Sequence, residues 1–107
     1  MVDIITRDEL KKKIDNKEQF KLLDVRDTPD YEKEHIVGAI HILILEMSEA
    51  KLDQLFNKSD LIITYSLNFN CPASGIAAEK LMQYGFNNLL RYKGGWQEWK
   101  DSNYPTE

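Results

Sequence analysis

The sequence contains very few side chains suited to redox or metal chemistry. Among its 107 residues there is one cysteine, Cys71, and there are two histidines, His35 and His41. A single cysteine excludes an internal disulfide, and a zinc site with several thiolates would need other chains. We therefore expect no metal site and no bound cofactor, and we interpret both histidines as structural or surface residues.

Long apolar segments are also missing. The longest stretch without a charged residue, positions 61–78, contains Ser, Asn, Pro and Gly, whereas a membrane-spanning helix needs roughly 20 predominantly apolar residues. The first eight residues do not show a basic segment followed by an apolar stretch, which is the pattern of a secretory signal. The sequence thus predicts no membrane span, no secretory signal and a cytoplasmic location.

The sequence has fewer basic residues than acidic residues, 14 against 18. The formal net charge is -4, the sequence pI is about 5.2 and the one basic cluster is Lys11-Lys12-Lys13. Proteins that bind nucleic acids or anionic membranes usually present a clustered basic face, so we expect neither partner. A content of 42% hydrophobic and 30% charged residues is typical of a folded chain, and the length suits one domain over residues 1–107.

Helical and strand patterns alternate along the chain. Thr6 and Glu9 have the spacing of a capping box, and Thr28 followed by Pro29 is interpreted as a cap with proline in the first helical position. Predicted helices cover about residues 7–16, 31–34, 48–56, 72–85 and the segment around Trp96 and Trp99; predicted strands cover about residues 20–25, 39–42, 61–65 and 88–92. This alternation predicts an α/β fold with a mainly parallel sheet covered on both faces.

Three stretches, in order and suitably spaced, resemble the rhodanese family. They are Leu23-Asp24-Val25-Arg26-Asp27 with Tyr31, Glu34-His35-Ile36-Val37-Gly38-Ala39, and Gly85-Phe86 through Tyr92-Lys93-Gly94-Gly95-Trp96 to Trp99. Val37 departs from the family, which most often has proline there. The resemblance spans nearly the whole chain and implies a rhodanese-like fold, with about five strands in the central sheet and helices on both faces.

In rhodaneses the reaction takes place in the loop after the strand that corresponds to residues 61–65. The family nucleophile is a cysteine directly after that strand, and this chain has Ser66 there. The loop resembles a longer variant with a second cysteine five residues later, followed by Pro-Ala-Ser, which Cys71-Pro72-Ala73-Ser74 matches. A serine hydroxyl forms no stable link to sulfane sulfur, so the resemblance implies an inactive or impaired site in this form.

The remaining loop residues and two strand-end residues complete the candidate site. They are Leu67, Asn68, Phe69, Asn70 and Ser74 in the substrate-binding loop, with Asp24 and Arg26 in support. Residues 67–70 are uncharged, whereas family loops often carry Arg or Lys, so we expect weak thiosulfate binding. Phe69 is interpreted as a gate or a partner contact. Either Asp24 and Arg26 assist the chemistry, or Arg26 pairs with an acid such as Glu34 while Asp24 bonds loop backbone.

Two functions are compatible with this pattern. The first is a rhodanese-type sulfurtransferase that carries sulfane sulfur as a cysteine persulfide, with a sulfane-sulfur donor and a small thiol or protein acceptor as partners. The second is a non-catalytic rhodanese-like binding or regulatory module. Cys71 is either a nucleophile or a buried residue that closes the loop, and Ser66 is either natural or an engineered Cys→Ser change. In both functions we expect Ser66 Oγ and the N–H groups of residues 67–71 to converge on a shallow pocket where the helix near Pro72 begins.

Overall fold

The computed structural model describes residues 2–107 and has a five-stranded sheet at its centre. The strands are β1 (Asp3–Ile4), β2 (Lys21–Asp24), β3 (Ile40–His41), β4 (Ile62–Tyr65) and β5 (Leu89–Tyr92). Their order across the sheet is β1-β5-β4-β2-β3, and every neighbouring pair is parallel. The predicted α/β fold with a parallel sheet is confirmed.

Helices connect the strands and cover both faces of the sheet. They are α1 (Arg7–Asp15), α2 (Thr28–Lys33), α3 (Glu49–Leu55), α4 (Ala73–Gln83) and α5 (Gly95–Asp101), with a short 3-10 helix at Ile44–Glu46. None of the helices within residues 2–107 is long and apolar enough to cross a bilayer.

Alternation along the central strands divides the core into two clusters. Successive side chains of a strand point to opposite faces, so Leu23 and Ile62 pack in one cluster while Leu22 and Ile63 pack in the other. The first cluster is closed by buried residues of α3 and α4, and the second by residues of α1 and α5. β4 is buried along its whole length, which fixes the position of the loop that follows it.

The helix starts agree with the sequence signals at α1 and differ at α2. The predicted capping box is present, because the Thr6 side chain accepts from the Glu9 N–H and the Glu9 carboxylate accepts from the Thr6 N–H. At α2 the predicted cap is wrong: Asp27 is the N-cap residue, Thr28 is the first helical residue and no side chain caps the helix. Pro29 lies one position further in, where its missing N–H still costs no helical hydrogen bond.

Candidate functional site

The candidate loop lies at the carboxyl end of β4, which is the usual ligand-binding edge of a parallel sheet. It runs from Ser66, directly after the strand, to Cys71, and Pro72 then caps α4. Ser66 is buried, with 5% of its surface exposed, and Cys71 is half-buried. The Ser66 Oγ atom lies 3.2 Å from the Cys71 Sγ atom. The two residues singled out from the sequence are therefore in direct contact.

The surroundings of Cys71 favour the thiolate. Burial raises the pKa of the Cys71 thiol, but the Ser66 hydroxyl, the backbone N–H groups of Ala73 and Leu67 and the positive charge of Arg91 lower it by more. The net pKa is below the usual value of a cysteine. Because the thiolate is the nucleophilic form of cysteine, this environment raises the fraction of Cys71 in that form at a given pH.

The loop amides do not all face one pocket as expected. The Cys71 N–H donates to the Asn68 carbonyl at 3.1 Å, and the Asn70 N–H donates to the Asn68 side-chain oxygen at 3.1 Å. These bonds lie within the loop and fold it into a turn. The backbone N–H groups of Leu67 and Ala73 instead act on the Cys71 thiol, whose pKa they lower. The loop amides therefore do not form the single cradle around Ser66 Oγ that the sequence predicts.

The start of α5 holds the first half of the loop. The Trp96 N–H donates to the Ser66 carbonyl at 2.9 Å, and the Gln97 N–H donates to the Leu67 carbonyl at 2.8 Å. Gly95 has a φ of +70°, and a Cβ atom there would lie 2.6 Å from the Ser66 carbonyl oxygen. A glycine at position 95 is therefore required for the close approach of α5 to the loop.

Arg91 of β5 holds the second half of the loop. This residue was not singled out from the sequence. Its Nε atom donates to the Ser74 hydroxyl at 2.8 Å, and its Nη2 atom donates to the Cys71 carbonyl at 3.2 Å. The Ser74 carbonyl in turn accepts from the Thr64 hydroxyl at 2.8 Å. Ser74 thus acts as part of the support of the loop.

Asp24 and Arg26 form a buried ion pair at the end of β2. Arg26 Nη2 lies 2.9 Å from Asp24 Oδ2, and the Arg26 N–H donates to Asp24 Oδ1 at 2.9 Å. The expectation that Arg26 pairs with an acid is confirmed, but the acid is Asp24 and not Glu34: Arg26 donates to the Glu34 carbonyl, and the Glu34 carboxylate bonds Lys100. The reason is spacing: Asp24 lies two residues away on the same buried edge. The Tyr65 hydroxyl also donates to Asp24.

Two apolar side chains at the tip of the loop are exposed, and each lines a different cavity. Leu67 is 44% exposed and Phe69 is 58% exposed. A cavity of about 430 Å³ lies on the Phe69 side and one of about 300 Å³ on the Leu67 side. The Lys93 ammonium lies 5.2 Å from the centre of the Phe69 ring. The tip therefore offers apolar surface with a cation near it, and neither Ser66 nor Cys71 lines these two cavities.

Comparison with known proteins agrees with this geometry. The family described as the rhodanese-like domain matches residues 6–102. The thiosulfate sulfurtransferase GlpE of Coxiella burnetii is 34% identical over 93 residues, which are 84% of this chain and 79% of that protein. The chain belongs to the rhodanese-like family. The solution structure of the rhodanese-like domain of the Anabaena protein Alr3790 has a TM-score of 0.87 and 29% identity, covering 100% of this chain and 80% of that one.

A relative from another bacterium is longer. YrkF of Bacillus subtilis, whose name proposes a sulfur carrier role, is 33% identical over 95 residues, and the matched part is 89% of this chain. The chain spans about half of the length of that protein, since the match covers 49% of it. These two relatives thus carry names from sulfur transfer, whereas the equivalence of Ser66 with the family nucleophile stays a prediction.

Proposed function

We propose that this rhodanese-like chain carries sulfane sulfur and that Cys71 is the residue that holds this sulfur as a persulfide. Ser66 then occupies the position of the family nucleophile. The observation that carries the proposal is the 3.2 Å contact between Ser66 Oγ and Cys71 Sγ. It places a thiol with a lowered pKa about one hydrogen-bond length from the residue that follows β4. A serine at that position cannot hold the sulfur itself, but its hydroxyl can donate a hydrogen bond to the neighbouring thiolate.

The transfer takes place in two thiol exchange steps. The Cys71 thiolate attacks the outer sulfur of a persulfide donor, so that a bond between Cys71 Sγ and that sulfur forms while the S–S bond of the donor breaks and the donor leaves as a thiolate. An acceptor thiolate then attacks the outer sulfur of the Cys71 persulfide. Its new S–S bond forms as the Cys71 bond breaks, which regenerates the Cys71 thiolate without any external oxidant or reductant.

The loop composition favours thiol-based donors over thiosulfate. Residues 67–70 carry no charge, and the supporting cation, Arg91, is engaged with Ser74 and the Cys71 carbonyl. A dianionic donor gains most from a cation that it touches directly. A persulfide on a small thiol or on a protein has an organic part that the exposed Leu67 and Phe69 side chains can contact. We propose these as the donor and acceptor classes.

A binding module without turnover is the second candidate. The exposed side chains of Leu67 and Phe69 favour it, because apolar residues at a loop tip are suited to contact a partner protein. In that case Cys71 only closes the loop. The two candidates differ in whether the Cys71 thiol takes up sulfur faster than an ordinary cysteine does.

Intact mass spectrometry after incubation with a persulfide donor separates them. We expect the folded chain to gain one sulfur atom faster than the same chain unfolded in urea at the same pH, because the pKa of Cys71 is lowered only in the fold. The Cys71→Ser variant should gain none. Sulfur uptake no faster in the folded chain than in urea would reject the carrier role and leave the binding module.

Two variants of Ser66 serve as matched comparisons. Ser66→Ala removes the hydroxyl that bonds the Cys71 thiol and should slow sulfur uptake, whereas the nearly isosteric Ser66→Cys places a second thiol in the loop and should speed transfer to a thiol acceptor. If Ser66→Cys transfers sulfur and the parent chain does not even load it, position 66 alone is the carrier position. The gene codon for residue 66 shows directly whether serine is the natural residue.

A further inference from the structure

The charged side chain in contact with the turn that carries Cys71 comes from a neighbouring strand and not from the loop. Arg91 lies in β5, which pairs with β4 so that Thr64 faces Arg91 in the register of the sheet. Its guanidinium extends from the sheet toward the first turn of α4. There it bonds both the Cys71 carbonyl and the Ser74 hydroxyl.

We propose that Arg91 is a positioning residue for Cys71: its guanidinium clamps the turn between loop and helix and places a fixed positive charge behind the thiol. The proposal rests on the proposed function, because the Cys71 thiolate that Arg91 supports is the group that takes up sulfur in that function. Two hydrogen bonds from one planar group to two points of the turn fix its orientation, which a flexible ammonium does less well.

The packing around the guanidinium supports a fixed position. A Cβ atom at Gly75 would lie 3.1 Å from Arg91 Cζ, so the absence of a side chain at that position leaves the space that the guanidinium occupies. Gly75 lies within α4, where glycine costs roughly 1 kcal/mol relative to alanine. The cost of a glycine in a helix interior is consistent with a requirement for this contact.

The electrostatic consequence follows from that geometry. The positive charge of Arg91 lowers the pKa of Cys71, together with the Ser66 hydroxyl and the amides of Ala73 and Leu67. Family loops carry a cation that faces the donor, whereas Arg91 faces the backbone of the turn. It therefore stabilises the thiolate without offering a free charge to an anionic donor, which agrees with the preference for thiol-based donors.

The test is the pH dependence of alkylation of Cys71 by iodoacetamide, which needs no sulfur donor. For Arg91→Met we expect the midpoint to rise by about 0.5 pH units, which leaves roughly threefold less thiolate at neutral pH. The alkylation rate there should fall only about twofold, because a more basic thiolate is also more nucleophilic. Arg91→Lys keeps the charge but not the paired hydrogen bonds. Its alkylation midpoint should lie between that of the parent chain and that of Arg91→Met.

Lys93→Met is the matched control, since Lys93 is two residues further on and contacts the Phe69 ring. Its midpoint should equal that of the parent. If Arg91→Met folds poorly, Gly75→Ala keeps the charge and displaces it, and its midpoint should also rise. An unchanged midpoint in folded Arg91→Met, or in Gly75→Ala when Arg91→Met does not fold, overturns the proposal. A shifted midpoint without sulfur uptake would reject the proposed function and leave the role of Arg91 intact.

Discussion

At the scale of single residues, Ser66, Cys71 and Arg91 lie in one set of contacts at the carboxyl end of β4. Ser66 and Cys71 follow a strongly apolar strand and precede a proline, so their place at a loop between strand and helix could be predicted from local patterns. Arg91 is separated from Cys71 by 20 residues, and their contact depends on the pairing of β4 with β5. Within its own strand Arg91 shows no signal, because an arginine in a short strand is compatible with an exposed position.

The ion pair of Asp24 and Arg26 gives a prediction at this scale. Asp24→Asn removes the negative charge that Arg26 contacts at 2.9 Å in a buried position. Breaking a buried pair on one side leaves an uncompensated charge, so the free energy of unfolding should fall by about 3–5 kcal/mol. Urea denaturation followed by fluorescence measures this loss.

The exposed ion pair between Lys51 and Glu46 is the control for that measurement. Glu46→Gln should leave the urea midpoint nearly unchanged, because exposed pairs are screened by solvent. A loss for Asp24→Asn no larger than that for Glu46→Gln would show that water reaches Arg26 freely once Asp24 is neutral.

At the scale of elements, the sequence pattern predicted every strand and helix except β1 and the short 3-10 helix. The four predicted strands correspond to β2, β3, β4 and β5, and the predicted helices correspond to α1 through α5. β1 has only two residues, both exposed, so it has no alternation of apolar and polar side chains to detect. β1 belongs to the sheet because its backbone pairs with β5. Backbone hydrogen bonds do not depend on the side chains, so they give no pattern in the sequence.

The contact between α5 and the loop gives a prediction at this scale. Gly95→Ala puts a Cβ atom 2.6 Å from the Ser66 carbonyl oxygen in a residue whose φ is +70°. Backbone must move in response, so we expect a loss of stability of about 2–4 kcal/mol and a raised midpoint for Cys71 alkylation. Thermal unfolding and the alkylation profile measure the two effects.

Gly38→Ala is a matched control for the backbone conformation alone. Gly38 has a φ of +82°, but nothing lies within 4 Å of a Cβ atom placed there. Its substitution should cost roughly 1–2 kcal/mol and leave the alkylation profile of Cys71 as it is. An equal effect of both substitutions on the thiol would contradict the view that α5 positions the loop.

At the scale of the whole molecule, the segment after α5 connects the end of the chain to its middle. The Tyr104 ring packs edge-on against Trp99, with ring centres 5.1 Å apart, and its hydroxyl donates to Asp8 at 2.8 Å. Ile36 and Thr106 form an isolated antiparallel bridge. The segment 104–107 thus closes one side of the core cluster that includes Trp99.

Removal of the segment 104–107 should therefore destabilise the fold. The indole N–H of Trp99 donates to the Pro105 carbonyl at 2.8 Å, and His35 and Glu107 exchange two backbone hydrogen bonds of 3.0 and 2.9 Å. The segment also bonds Val37, Gly38 and Glu34. At about 1 kcal/mol for each hydrogen bond, we expect the loss of stability to exceed about 3 kcal/mol, with a red shift of tryptophan fluorescence. Glu107→Gln keeps the backbone bonds and should change neither quantity, whereas equal effects of both changes would assign the stabilisation to the Glu107 charge.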